Sequence, residues 1–220
     1  IPYRSIYARG IQNLFLGGRI ISASHRAFSS TRVMATCAVE GQAAGVAAFL
    51  ACRDHLSTAE NIRNIHQLQQ ELLKQGCYIP GFQNEDKKDL ARMAEVSADS
   101  FLEGCEPENV INGISRPVGE QSNMWVPADS EHPHSISLKW EKPKKLERLY
   151  ITLDSDLSAE IMISLSHWHH VRQEYSVPGT ILKDYDIAWI ADGKTICREK
   201  IRENHQRINV IEKVVECDTV

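Results

Sequence analysis

The residues best suited to meet a large anionic ligand lie near the start of the chain. Gly17 and Gly18 end a short apolar run of Leu14, Phe15 and Leu16, and Arg19 follows them. A polar loop then carries His25. After it Ser30, Thr31, Arg32, Val33 and Met34 open an alanine-rich segment that contains Gly41 and Gly45. Glycine lets bare backbone approach a ligand that a side chain would fend off. A helix N-terminus offers unpaired amides and roughly +0.5 of a charge, which stabilises an adjacent anion by about 0.3–1 kcal/mol. His25, between the apolar run and the helix, is a candidate acid or base. Arg4, with Tyr7 and Arg32, is a candidate for gripping an anionic or hydroxylated substrate. Each feature also has an ordinary counterpart: a capped helix, a solvent-facing histidine, a surface ion pair.

These residues need elements to place them. Residues 13–16 read as a strand ending at the glycine pair. A helix is expected from about Thr31 to Arg53, with Ser30 or Thr31 as its N-cap. Ala35, Ala38, Gly41, Ala44, Gly45 and Ala48 make one side of it small enough for close packing on a sheet. The apolar part of this segment, 33–52, is long enough to test as a membrane span. Its content is mostly alanine, and Glu40 and Gln42 sit at its centre, where a charge costs roughly 2.5–3.5 kcal/mol on insertion. A soluble helix is therefore expected, with no membrane span. Ser57 and Glu60 fit a capping box. A further helix is expected over 66–75, with Leu68, Leu72 and Leu73 on one side and Gly76 as its stop.

Composition shifts near residue 83. A charged run at 84–89 has the character of a linker. From Val96 onward, short apolar or alternating segments at 135–140, 146–153, 160–166, 185–191 and 207–215 read as strands. Asp192 and Gly193 form a hairpin signal. Strands at this spacing without helices between them suggest a β-sandwich, so the expected fold class is α+β.

The net charge of −4 over 220 residues gives no electrostatic case for nucleic acid. Six cysteines include no C-x-x-C, so zinc-ribbon and ferredoxin spacings are absent. Free, mostly buried thiols are expected, with a Cys197 to Cys217 disulfide left open. His167, His169 and His170 invite a metal assignment. On a strand the first two would share a face, but no Asp or Cys nearby completes a site. Asp154 and Asp156 lack the glycine and further oxygens of a calcium loop and read as a turn. No metal site is expected. Trp125, Trp140 and Trp189 read as core, with sugar stacking as the other reading.

The stretch IPYRSIYARGIQNLFLGGRIISASHRAFSSTRVMATCAVEGQAAG resembles the C-terminal end of a family of FAD-dependent oxidoreductases. These are distantly similar to the flavoprotein component of heterodisulfide reductase. The resemblance covers residues 1–82, taken as one domain with a helical tail ending in GCYIPG; 83–95 is a linker. Residues 96–220 resemble a discoidin-like (galactose-binding-like, jelly-roll) sandwich, through ENVINGISRP, MWVPA, PHSISLKWEKPKKLERLYITLDSDL and VPGTILKDYDIAWIADGK. The resemblance implies FAD in a full-length parent. Gly17, Gly18 and Arg19 would lie against its ribityl–pyrophosphate part. The amides at Thr31, Arg32, Val33 and Met34 would face the flavin pyrimidine edge, with Ser30 and Gly41 also counted among the cofactor-binding residues. G-x-G-x-x-G occurs nowhere in the chain. The ADP-binding half is therefore expected before Ile1, with one or two closing strands after Val220. The implied function is the C-terminal portion of an FAD-dependent oxidoreductase acting on a small molecule, carbohydrate-related substrates included. The alternative is a carbohydrate- or surface-binding module with no catalysis of its own. Bacterial cytoplasm and periplasm both stay open as its compartment, and the oligomeric state is not legible.

Overall fold

The computed structural model describes residues 1–129, 131–159, 164–173 and 175–220. The chain divides into two units, Ile1–Asp86 and Lys87–Val220. Helices make up the first unit and an antiparallel sheet the second, so the fold is α+β.

The first unit is built on helices α1 (His25–Thr31), α2 (Met34–Arg53) and α3 (Ile65–Lys74). Ser24 caps α1 by accepting the Ala27 amide at 3.3 Å. The helix expected from about Thr31 to Arg53 forms as α2 with its start at Met34, and the short α1 precedes it. The reason is local: Ser24 offers an earlier cap, and Val33 then takes an extended backbone (φ −74°, ψ 148°) that separates α1 from α2. Ser30 and Thr31 fall in the last turn of α1 and cap nothing. The strand expected at 13–16 is also absent. Phe15 makes only an isolated antiparallel bridge to Tyr7, and no sheet exists among the described residues of this unit.

The core joins Tyr3, Ile6 and Ile21 to Ala47 and Leu50 of α2 and to Leu68 and Leu72 of α3. Helix α2 is long and apolar enough to cross a membrane by length and composition. Its buried residues Ala47, Leu50 and Ala51 nevertheless serve this core. The capping box forms as expected. Ser57 N–H donates to Glu60 Oε2 at 3.1 Å and Glu60 N–H returns to Ser57 Oγ at 3.3 Å. Helix α3 stops at Gly76, whose φ of +83° only glycine adopts without strain.

A buried polar knot ties the unit's segments together. Tyr3 Oη donates to the Thr58 carbonyl at 2.7 Å. Asn61, buried, donates Nδ2 to Tyr3 Oη at 3.1 Å and to the Ala47 carbonyl at 3.0 Å. Its Oδ1 accepts from Asn64 Nδ2 at 3.0 Å.

The second unit is a five-stranded antiparallel sheet in the order β1-β2-β5-β3-β4. Its strands are β1 (Glu95–Ala98), β2 (Ile136–Thr152), β3 (Tyr185–Ala191), β4 (Lys194–Ile201) and β5 (Ile208–Thr219). The strands expected at 135–140 and 146–153 are one long strand, β2. Its pairing with β5 shifts register between Lys139 and Lys144, where Pro143 lacks an amide to donate. Asp192 (φ 49°) and Gly193 (φ 71°) make a tight hairpin turn that returns the chain as β4.

Of the strand expected at 160–166, residues 160–163 lie outside those described, and 164–166 are not extended into a strand. The described strands connect in one order, with β3 joined to β5 through the single pair Ile190–Thr219. Trp189, Ile187 and Cys217 form the core of the sheet. Trp140, buried, donates Nε1 to the Leu90 carbonyl at 2.9 Å; Trp125 donates to the Ser100 carbonyl at 2.9 Å. The core reading of Trp140 and Trp189 is the one observed.

Two smaller expectations are corrected. His167–His170 is a short helical turn, α4, so His167 and His169 do not share a strand face. All six cysteines are free, but only Cys217 is fully buried, and Cys52 is exposed at the end of α2. The Asp156 amide folds back to Asp154 Oδ1 at 3.1 Å, a turn as expected.

Replacing Asn61 with Ala removes one hydrogen bond from the Ala47 carbonyl and one from Tyr3 Oη. Urea unfolding followed by far-UV circular dichroism should show the helical unit destabilised by about 2–3 kcal/mol. The more exposed Asn64→Ala should cost less than half as much.

Candidate functional site

The glycine pair and the start of α2 lie against each other, for a specific backbone reason. Gly17 is extended (φ −137°), and a Cβ there would sit 3.6 Å from the Cα of Gly41. Gly18, at φ +71°, opens a short 3-10 turn running to Ile20; a Cβ there would sit 3.7 Å from the Cβ of Cys37. What lies against the pair is α2: its backbone at Gly41 for Gly17 and the Cys37 side chain for Gly18. Gly41 and Gly45 have open space where a side chain would be, and no sheet packs on them. The expected helix–sheet packing at those two positions is therefore not found.

The free amides also lie one turn further on than expected. Those of Ser30 and Thr31 fall within α1, and Arg32 N–H donates to the Phe28 carbonyl at 3.2 Å. Val33, at the N-cap of α2, has no side chain able to cap, and the first bond of the helix is Cys37 N–H to the Val33 carbonyl at 2.9 Å. The amides of Met34, Ala35 and Thr36 precede that bond and lack a capping side chain. Met34 is 68% exposed, and Arg32, Val33 and Ala35 are exposed too, so this helix start faces outward.

Two polar side chains beside it are left without partners. Thr31 Oγ1 and both carboxylate oxygens of Glu40 are buried and unpaired by hydrogen-bond geometry. Glu40, 3% exposed, lies one residue before Gly41 on α2. Burial pushes its carboxyl above the ordinary range, while the Gly18 amide pulls the other way. Cys37 Sγ turns to the Thr31 carbonyl at 3.6 Å. Glu40 and Cys37 are the members of this group that sequence reasoning missed. Their signal was an acid and a thiol on a helix otherwise made of small residues.

His25 is the first residue of α1 rather than a loop residue, and it is exposed. Arg4 lies exposed in the first 3-10 turn, Tyr3–Ser5. Among the described residues no hydrogen bond or ion pair joins His25, Arg4, Arg19 or Arg32 to the glycine pair or to Glu40. The structure thus gathers Gly17, Gly18, Gly41 and the Thr31–Met34 junction with Glu40 and Cys37. It leaves the two catalytic candidates unattached.

The same residues are marked by comparison with known proteins. Residues 1–72 match the family described as FAD dependent oxidoreductase. The N-terminal unit is FAD-oxidoreductase-like. A galactose-bound family 32 carbohydrate-binding module of NanJ from C. perfringens aligns with 59% of this chain and 80% of its own, at 16% identity and a TM-score of 0.38. No curated protein matches the chain. For the oxidoreductase-like unit, FAD passes a local test of fit. An uncapped, outward-facing helix start beside a glycine turn, with Thr31 Oγ1 and Glu40 left unpaired, suits a ligand rich in carbonyl, phosphate and hydroxyl groups.

Glu40 makes the unit's stability depend on pH in a defined direction. A carboxyl whose folded pKa is raised contributes stability that is fully present below its unfolded pKa and is lost as pH rises through the folded value. Glu40→Gln should therefore gain stability over the parent chain at neutral pH and lose that advantage in acid, read by urea unfolding at both pH values.

Proposed function

We propose that the first unit forms one wall of the flavin site of an FAD-dependent oxidoreductase, and that the second unit is its accessory module. The observation that carries this reading is the uncapped start of α2 against the Gly17–Gly18 turn, inside the residues that match the family. FAD, when bound, supplies the redox chemistry. The chain's own part is electrostatic. The amides of Met34, Ala35 and Thr36 stabilise negative charge gathering at a ligand edge, by about 0.3–1 kcal/mol, which corresponds to a few tens of millivolts for one electron. Gly18, at φ +71°, seats the turn on the Cys37 side chain of α2. Thr31 Oγ1 and the Glu40 carboxyl offer unpartnered oxygens in the same place. The G-x-G-x-x-G fingerprint is absent from these 220 residues, so in this reading the ADP-binding half comes from other polypeptide.

Met34→Pro is a clean probe. Proline is tolerated at the first position of a helix, and Val33 already has the extended backbone that precedes proline. The substitution removes one free amide and leaves the helix intact. The protein from the complete reading frame should purify with flavin absorbance, and Met34→Pro should weaken FAD about 2–10-fold, the worth of one hydrogen bond. The 220-residue chain alone should retain none. A complete protein that binds no FAD, or a variant that binds it unchanged, would overturn the proposal.

A further inference from the structure

At one end of the sheet in the second unit, two histidines and an aspartate converge. Asp129 Oδ1 lies 3.4 Å from His132 Nδ1 and 3.1 Å from His134 Nε2. One ligand atom from each of the three residues lies within 4.8 Å of the other two. Zinc bonds of about 2.0–2.2 Å to nitrogen and oxygen place tetrahedral ligand atoms about 3.3–3.5 Å apart. The 3.4 Å edge already has the spacing that a bound ion would impose, and the 3.1 Å edge is slightly shorter. The third, between the histidines, closes by rotation of His132, which is 63% exposed.

The surroundings of His134 single this cluster out. Its side chain is 7% exposed, and Nδ1 lies 3.1 Å from Asp99 Oδ1 and 3.1 Å from Ser100 Oγ. Asp99 is held in turn by Ser135, whose amide donates at 2.8 Å and whose hydroxyl donates at 3.2 Å. It sits just past β1, and His134 just before β2, where those strands pair and the Asp99 amide bonds the Ser135 carbonyl at 3.2 Å. A carboxylate on the far nitrogen fixes the tautomer of a metal-bound histidine and makes it a better ligand. With Nδ1 on Asp99, Nε2 of His134 faces Asp129 Oδ1 at 3.1 Å, a place that either a proton or a cation can bridge.

We propose that Asp129, His132 and His134 bind a divalent transition-metal ion of the zinc class, with Asp99 as the positioning carboxylate and one coordination position open to water. Two imidazoles and one carboxylate select such an ion over calcium or magnesium, which take all-oxygen sites. The sequence signal is Asp129, His132 and His134 at spacings of three and two, a pattern overshadowed by the denser histidine run at 167–170.

The test is titration of the 220-residue chain with zinc chloride by calorimetry, and with cobalt chloride by visible absorption. One saturable equivalent is expected, with the intense visible bands of four-coordinate cobalt. His132→Ala, at an exposed position, should abolish that binding, and Asp99→Asn should weaken it about 10–100-fold. His169→Ala should leave it unchanged. No saturable uptake means that a proton alone bridges His134 and Asp129, and it overturns the proposal. So does binding that survives His132→Ala, or that disappears only with His169→Ala.

Discussion

The first unit is organised by the contact of the Gly17–Gly18 turn with α2. Gly17 lies over Gly41 and Gly18 over Cys37, each at a distance where a Cβ would make ordinary van der Waals contact with the helix, and the φ of +71° at Gly18 favours glycine. The apolar core forms on another part of the same helix, where Ala47 and Leu50 meet Tyr3, Ile6, Leu68 and Leu72. The Tyr3–Asn61–Ala47 hydrogen bonds fix how the N-terminal segment and the turn after α2 sit on that core. With the helix anchored there, its other end, at Met34, stays out of the core and faces outward.

That end is costly to the fold, and the cost gathers in one place. Three of the four unpaired buried side-chain atoms among the described residues belong to Thr31 and Glu40, both next to the glycine turn and the α2 start. A buried polar atom without a partner loses hydration and gains nothing in return. A sequence shaped only for stability would place a capping hydroxyl at Val33 and an apolar residue at Glu40. The departure from local consistency falls within the residues that match the oxidoreductase family, where a ligand would supply the missing partners.

Much of this was legible from residue types with strong local rules. The Ser57–Glu60 capping box, the Gly76 stop and the Asp192–Gly193 turn each depend on a few neighbouring atoms, and all three form as expected. The break between α1 and α2 was not legible. Ser24, Ser30 and Thr31 are all competent caps, and Ser24 is the one that caps. The free amides therefore moved from Thr31 and Arg32 to Met34, Ala35 and Thr36, a shift of one turn that propensity cannot see. The segments read as two strands, 135–140 and 146–153, are one strand, β2, which runs through Pro143 with a register shift. The Asp129, His132 and His134 cluster needed the pairing of β1 with β2 to bring Asp99 beside His134, and no local pattern encodes that neighbour.

Hydrogen exchange on the flavin-loaded protein from the complete reading frame addresses the central claim most directly. The peptide that spans Val33 to Cys37 is compared with FAD bound and after FAD is stripped. The account predicts that the amides of Met34, Ala35 and Thr36 exchange freely in the stripped protein and become protected when the flavin is present. Identical exchange of those three amides in both states, in a protein that demonstrably holds its flavin, would contradict it.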